Sequence, residues 1–266
     1  TTLFRYSVYV WGAQLEQQSQ ATPYLKSDGI AAVRKSTTTN LINYSEDFTK
    51  SFWTPTRCTI TSNQITSPNG TLDADLLTAT NTSENYIQTS NTVAVSGTSQ
   101  TVSFYVKKGT SDFAHILLWD NSSNGARQWF DLTNGTIGTS TSFGSGITVN
   151  NANMISYSND WYRCIVVFSN STANIKTRVS ASNSNGGTTS TVCKTIYIWG
   201  SQLEAQAQAT PYLKSDGIAA VRKSSTTNLV PYSEDFSGWT TTGTANVTPN
   251  TSISPNGIQN ASTLNI

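Results

Sequence analysis

The stretch RQWFDLTNGTIGTS, residues 127–140, carries the clearest local signal of the fold. Runs of β-forming residues flank the pair Asn134-Gly135, which is typical of a tight hairpin turn with both residues at positive φ. The stretch SQTVSFYVKKG, residues 99–109, alternates apolar and polar side chains, which predicts a strand with one buried face. DFAHILLWD, residues 112–120, is too apolar to alternate and is predicted to be a central strand. Further strands are predicted within residues 40–48, 71–79, 85–95, 161–169, 174–182 and 190–204.

The composition agrees with an all-β protein. Charged residues make up 12% of the 266 and the formal net charge is +1, whereas nucleic-acid binding needs a basic surplus. No apolar run approaches the roughly 20 residues that span a bilayer, so we expect neither a nucleic-acid partner nor membrane insertion. Abundant Ser, Thr and Asn suit short strands with polar outer faces, and the predicted fold class is a jelly-roll β-sandwich.

A sequence repeat suggests the domain organisation. The stretch QATPYLKSDGIAAVRKS occurs at residues 20–36 and again at 208–224 without a substitution, and Thr1–Phe48 aligns with Thr189–Phe236 without a gap. The period of about 188 residues is far longer than that of a solenoid repeat. Each copy is therefore expected to be a whole domain.

The expected arrangement is a tandem array of such domains. The chain opens in mid-pattern, and we expect it to be an excerpt of a longer polypeptide. The expected parts are residues 1–26 as the last strand and tail of one repeat, 38–214 as a complete jelly-roll domain, 226–266 as the opening of the next repeat, and connectors at about 27–37 and 215–225.

The identical stretch predicts a fixed joint between domains. A flexible spacer needs only length and Gly/Ser composition, and its sequence can drift. The strand beside it has changed from FRYSVYVWGA to VCKTIYIWGS, although recent duplication with little divergence is the alternative explanation. The residues expected to form the joint are Pro23, Tyr24, Lys26, Asp28, Arg34 and Lys35, and their counterparts Pro211, Tyr212, Lys214, Asp216, Arg222 and Lys223.

Four motifs, in this order, resemble a known family. They are NLINYSEDF, WFDLTNGTIG, DWYRCIVVF and IYIWGSQLEAQAQATPYL. Together they are similar to a domain of phage tail and other phage-associated structural proteins that also occurs in bacterial surface proteins. The resemblance implies a jelly roll similar to carbohydrate-binding modules and concanavalin-like folds. It implies no catalytic residues, and the ligand varies within the family.

The sequence offers no catalytic or metal-binding motif. Its one histidine, His115, lies in a predicted strand, and nucleophilic triads need an orienting base. We expect no enzyme activity, no cofactor and no metal site, with a structural Ca²⁺ held by carboxylates and carbonyls as the alternative. The three cysteines are an odd number, so no framework disulfide is expected. Acidic residues that would otherwise suit glycoside hydrolysis are interpreted as turn and edge residues: Glu46, Asp47, Asp73, Asp75, Asp112, Asp120 and Asp131.

Aromatic residues provide a candidate glycan site. Trp119 and Trp129 lie near Asp, Asn, Arg and Gln and are the candidates for stacking against sugar rings, although a core position is the alternative. The other tryptophans of the chain are expected in the core. Sites for N-glycosylation, which would depend on the host, are Asn43, Asn69, Asn81, Asn121, Asn134, Asn170, Asn246, Asn250 and Asn260.

These observations favour a non-enzymatic structural subunit of a tandem-repeat extracellular fibre or filament, on a cell or virion surface. Its expected partners are neighbouring copies of the same domain. The alternative is a carbohydrate-binding or adhesive module that acts through avidity, because repetition multiplies weak sites.

Overall fold

The computed structural model describes residues 7–17, 24–95, 99–171 and 174–266, with the backbone alone at 34–36 and 224. This part of the chain is all-β and contains no helix. It therefore has no helix that is long and apolar enough to cross a membrane. It divides into two compact units. The larger unit is Thr38–Arg222, against the expected 38–214, and the smaller unit joins the residues before Thr38 to Lys223–Ile266.

The described residues contain eighteen strands. They are β1 Ser7–Val10, β2 Ala32–Asn40, β3 Trp53–Thr56, β4 Cys58–Thr66, β5 Leu72–Ala79, β6 Tyr86–Thr89, β7 Val93–Ala94, β8 Gln100–Lys108, β9 Phe113–Trp119, β10 Gly125–Asp131, β11 Thr136–Phe143, β12 Ile147–Tyr157, β13 Trp161–Asn170, β14 Asn174–Ser182, β15 Thr195–Glu204, β16 Ala220–Asn228, β17 Asn246–Ile253 and β18 Gln259–Asn265.

The larger unit is a sandwich of two antiparallel sheets, as the sequence predicts. One sheet has the order β11-β10-β9-β14-β6-β3, with β7 paired to β14, and the other has the order β12-β13-β8-β15-β5-β4. Side chains from both sheets form one buried core, among them Phe104 of β8, Leu118 of β9 and Phe168 of β13. The predicted central strand over residues 112–120 is confirmed, because β9 lies between β10 and β14.

The hairpin of β10 and β11 is confirmed, but the predicted turn is wrong. Gly135 has φ +66, whereas Asn134 does not have positive φ. The carboxylate of Asp131 accepts hydrogen bonds from the backbone amides of Thr133 and Asn134 and from the Asn134 side chain. The amide of Gly135 donates to the Asp131 carbonyl oxygen at 3.0 Å. A four-residue loop organised by an acidic side chain therefore replaces the expected two-residue turn.

The outer face of β8 is also covered, contrary to the expected polar exposure. Ser103 is fully buried and Tyr105 is 3% exposed. Arg163 of the neighbouring strand donates to the Ser103 hydroxyl, and its guanidinium lies 5.6 Å from the centre of the Tyr105 ring. The same Arg163 donates to the carbonyl oxygen of Thr210 at 2.7 Å. The segment after β15 therefore passes over this face.

Most of the expected core tryptophans are buried. Trp53, Trp161 and Trp199 are between 1% and 4% exposed. The expectation is wrong for Trp239 of the smaller unit, which is 45% exposed although its aligned counterpart is Trp53. Within that unit, the described partner of the Trp239 ring is Phe236, at 5.1 Å between ring centres.

The smaller unit contains a three-stranded sheet with the order β1-β18-β17. Its pairing register is that of β15, β5 and β4 in the larger unit. Val10 pairs with Ser262 as Ile198 pairs with Asp75, and β17 pairs with β18 in the register of β4 with β5. Strands β17 and β18 thus pair as β4 and β5 do in the larger unit.

The predicted connectors are not loops throughout. Each enters a strand, β2 or β16, and these two strands form a two-stranded sheet.

Candidate functional site

The two ends of the larger unit are bonded to one another. We call residues 40–46 the head and residues 199–216 the tail. Asn40 is fully buried, and its side-chain amide donates to the carbonyl oxygens of Ser201 and Leu213 at 3.0 and 2.9 Å. Its side-chain oxygen accepts from the amides of Ile42 and Leu203, both at 3.1 Å. One head side chain therefore satisfies four backbone groups, three of them in the tail.

A second set of contacts involves Tyr212 and Lys214 of the tail. The Tyr212 hydroxyl is 2.7 Å from the Ser45 hydroxyl and donates to Glu46 Oε1 at 3.1 Å. Lys214 Nζ lies 2.5 Å from Glu46 Oε2. Burial raises the pKa of Tyr212, and the hydrogen bond to Glu46 raises the pKa of Lys214. The phenol is therefore neutral and the amine charged at neutral pH.

The backbone adds an antiparallel bridge between head and tail. Tyr44 pairs with Asp216, the Ser45 amide donates to the Ser215 carbonyl oxygen at 3.2 Å, and the Gly217 amide donates to the Asn43 carbonyl oxygen at 2.8 Å. We refer to these contacts, with those of Asn40, Tyr212 and Lys214, as the head–tail lock.

The Trp199-Gly200 sequence makes room for the Tyr212 ring. Gly200 has φ +59, and a Cβ there would stand 2.7 Å from the Tyr105 ring and 3.3 Å from the Tyr212 ring. Because a positive φ favours glycine, the register shift in β15 after Trp199 depends on this residue. The shift lets Trp199 and Tyr212 pack with ring centres 4.7 Å apart.

The smaller unit forms the same lock from the aligned residues. The Asn228 amide donates to the carbonyl oxygens of Ala13 and Leu25 at 3.1 and 2.8 Å, and its side-chain oxygen accepts from Leu15 and Val230. Tyr24 lies 2.7 Å from the Ser233 hydroxyl and 3.2 Å from Glu234 Oε1, and Lys26 Nζ is 2.9 Å from Glu234 Oε2. The ring of Trp11 lies 4.7 Å from that of Tyr24, as in the larger unit.

A polar cavity of about 330 Å³ lies beside the lock of the larger unit. A cavity of about 420 Å³ occupies the aligned place in the smaller unit, where Tyr232, Glu234 and Asn250 take the places of Tyr44, Glu46 and Asn63. The first cavity is lined by Tyr44, Glu46, Asp47, Thr49, Lys50, Ser62, Asn63, Asp73, Asp75, Lys214, Ser215 and Asp216.

The acids of this cavity have distinct environments. Burial raises the pKa of Asp75 to about 6, although the amides of Phe48 and Asn63 donate to its carboxylate. Lys50 lies 3.4 Å from Asp47. Within the described ranges, no group of three or more His, Cys, Asp and Glu side chains is placed to hold a metal ion. Asp120 and Asp131 bond as predicted for turn residues, since they accept hydrogen bonds from backbone amides. The interpretation as a turn or edge residue is wrong for Asp75, which is 1% exposed in β5, between β15 and β4.

The structure separates the two tryptophans of the predicted glycan site. Trp129 is 1% exposed and its indole N–H donates to the Gly187 carbonyl oxygen at 2.7 Å. It presents no face to a sugar, and the prediction is wrong for this residue. Trp119 is half-buried, and the Arg178 guanidinium lies 4.4 Å from the centre of its ring. Stacking on Trp119 stays a prediction.

The predicted joint residues fall into several places. Tyr24, Lys26, Tyr212 and Lys214 belong to the two locks, and Asp28 and Asp216 form antiparallel bridges with Tyr232 and Tyr44. Arg222 donates to the carbonyl oxygens of Pro211 and Tyr212, and Lys223 is exposed. Pro23 lies outside the described residues, as do the side chains of Arg34 and Lys35. That these residues set the geometry between domains stays a prediction.

The predicted glycosylation sites differ in access. Asn43, Asn170 and Asn260 are half-buried, whereas the exposed sites are Asn69, Asn81, Asn121, Asn134, Asn246 and Asn250. Asn260 also donates to Glu234 at 3.1 Å. Modification at any of them stays a prediction.

Sequence reasoning missed the head residues of the lock. Asn40 and Asn228 occupy the same position in the two copies, and Glu46 and Glu234 recur in the same way. Their recurrence beside the identical stretch was the available signal. From the sequence, Glu46 is interpreted as a turn residue, because polar residues at strand ends commonly form turns.

No protein-family model matches the chain, and no curated protein matches it. Solved structures of similar shape include three from bacterial and phage proteins. The CBM22-1–GH10 modules of endo-1,4-β-D-xylanase 10B from Clostridium thermocellum, complexed with xylohexaose, are 8% identical with TM-score 0.38, covering 71% of this chain and 30% of that one. The enzymatically active domain of tailspike protein 4 of Bacteriophage CBA120 is 17% identical with TM-score 0.35, and the match covers 62% of this chain and 21% of that one.

The third is the CBM22-1 xylan-binding domain of Paenibacillus barcinonensis Xyn10C, 13% identical with TM-score 0.35, covering 65% of this chain and 94% of that one. The chain therefore spans less than a third of the first two structures. At these TM-scores the likeness carries no argument about ligand or activity.

Proposed function

We propose that this chain is a non-enzymatic structural protein in which β-sandwich domains follow one another in an extracellular fibre or filament, on a cell or virion surface. The observation that supports it is the head–tail lock, which both units form from aligned residues. The partners of each domain would be the neighbouring copies.

The lock supports this function through the path of the chain. Because Tyr44 pairs with Asp216, the chain enters and leaves the larger unit at neighbouring points. The entry and exit points are held by buried hydrogen bonds, and buried bonded networks are rigid. Identical locks would therefore give each domain of an array the same entry and exit geometry.

Imaging of the assembled material by cryo-electron microscopy tests this function. We expect a regular axial repeat with one domain in each step and little variation in bending. Domains that tumble independently, at variable spacing, would show that the identical stretch is only a tether.

The recurring polar cavity favours one second candidate, carbohydrate binding. Ligand sites combine apolar surface with a few placed polar groups, and this cavity offers the half-buried Tyr44 ring beside Asp47, Lys50 and Asn63. Repetition would add avidity. Glycan-array binding by the intact chain, weakened in Lys50→Ala and kept in the control Lys108→Ala, is the expected result. Absence of binding to every glycan would count against this candidate.

A further inference from the structure

The lock of the smaller unit is made by two different repeats. Its tail, residues 11–17 and 24–28, precedes the complete domain, and its head, Asn228–Glu234, follows it. In the larger unit, by contrast, head and tail belong to the same repeat. The hydrogen bonds of the two locks nevertheless join the same kinds of groups at similar distances. A head thus accepts the tail of another repeat as it accepts its own.

The accepted tail also completes a sheet. Strand β1 pairs with β18 over Ser7–Val10, in the register that β15 uses on β5. Among the described residues, β1 is the strand that covers this edge of β18, and an uncovered edge is a template for another strand. The head-containing segment therefore has two features that select a tail: a strand edge and the buried side chain of Asn228.

We propose that the segment Asn228–Asn265, which contains the head and β18, binds β1 and the tail residues 11–17 and 24–28 of a second copy of this chain. In a closed chain the tail comes from the same molecule, and in the exchanged form it comes from the neighbour, through the same contacts. Exchange of an identical element between protomers is a low-cost route to association. The inference concerns separate chains and does not depend on a fibre.

The balance between the two forms depends on concentration. A tethered tail has an effective concentration on the order of 1 mM, so at roughly 0.1 mM chain the closed form is favoured about tenfold. Exchange should dominate where a chain cannot use its own tail or its own head.

Two variants of the full chain separate these roles. Tyr24→Ala removes the tail's ring and hydroxyl contacts but keeps an intact head. Asn228→Ala removes four hydrogen bonds of the head but keeps an intact tail. Each variant alone is expected to be monomeric at 28.7 kDa. An equimolar mixture is expected to form a one-to-one dimer of twice that mass, measured by native mass spectrometry with one variant isotopically labelled.

The matched control is Tyr9→Ala mixed with Asn228→Ala. Tyr9 is in the tail strand but 69% exposed, so the head of that copy is filled by its own tail. About tenfold less dimer is expected than in the first mixture at roughly 0.1 mM. Protection of the buried thiols of Cys58 and Cys164 from a thiol reagent shows that the larger unit remains folded in every variant.

Two results would overturn the proposal. The first is a mixture of Tyr24→Ala and Asn228→Ala that stays monomeric while the larger unit is folded. The second is a dimer formed equally by either variant alone, because association would then not need an intact head and tail. Both results leave the fibre proposal to be judged by imaging.

Discussion

Substitution of Asn40 by alanine tests how much the head–tail lock stabilises the larger unit. The side chain is fully buried and makes four hydrogen bonds with backbone groups. Each such bond contributes about 1 kcal/mol net, and a buried group left without a partner costs at least as much. We therefore expect Asn40→Ala to lower the free energy of unfolding by about 4 kcal/mol, a large part of the roughly 5–15 kcal/mol of a typical domain.

Hydrogen exchange of the amides in β8 and β13 at increasing urea reports the larger unit by itself. With a typical urea m-value of about 2 kcal/mol/M, the midpoint should fall by about 2 M. The control Asn91→Ala changes an exposed asparagine and should alter stability by less than about 0.5 kcal/mol. A loss below about 1 kcal/mol in Asn40→Ala, with an unchanged m-value, would refute the reasoning, because the bonds to the tail would then contribute little to the folded domain.

Three further predictions concern titration and thiol reactivity. Burial raises the pKa of Asp75 to about 6 from 3.8, so the folded state binds the proton more tightly than the unfolded state does. The free energy of unfolding should therefore fall as pH rises from about 4 to 6, by up to roughly 3 kcal/mol. Urea titrations of Asp75→Asn over this pH range should lack this loss. Burial alone would raise the pKa of Glu84, but the His115 hydrogen bond and the Arg127 charge hold it at about 2 against 4.5. The contribution of ionised Glu84 to the free energy of unfolding is therefore fully present above pH 4.5 and is lost as the pH falls towards 2. If Glu84→Gln loses as much stability as the wild type in an acid titration, this prediction is contradicted. The exposed thiol of Cys193 should react with a disulfide reagent in the native chain, whereas the other two thiols are buried; three equivalents before unfolding would contradict the structure.

The strands were predictable because their signals are local. Alternation in residues 99–109 and the apolar run at 112–120 identify β8 and β9 from the sequence alone. The turn after β10 was mispredicted, since Asn-Gly pairs favour a two-residue turn, but Asp131 draws the loop amides towards its carboxylate. A side chain before the turn thus prevailed over the preference of the turn residues.

The lock and the exposure of the tryptophans depend on distant contacts. Asn40 and Ser201 are bonded although 161 positions separate them, and a single sequence does not show such pairs. Trp119 and Trp129 have similar polar neighbours in the sequence, but only Trp129 lies beneath the Gly187 loop. Its burial is decided by a segment more than fifty positions away.

The antiparallel bridge between Tyr44 and Asp216 has a mechanical consequence. Because the chain approaches Asn40 and departs after Asp216 on the same side, tension along a string of such domains pulls head and tail apart at one end of their contact. The hydrogen bonds then bear the load one after another, as in unzipping, and not all at once as in shear. Each lock should therefore open at a lower force than the sandwich behind it. A stretched array would lengthen in small steps at its locks before any domain core is lost, and it would recover that length when the load is removed.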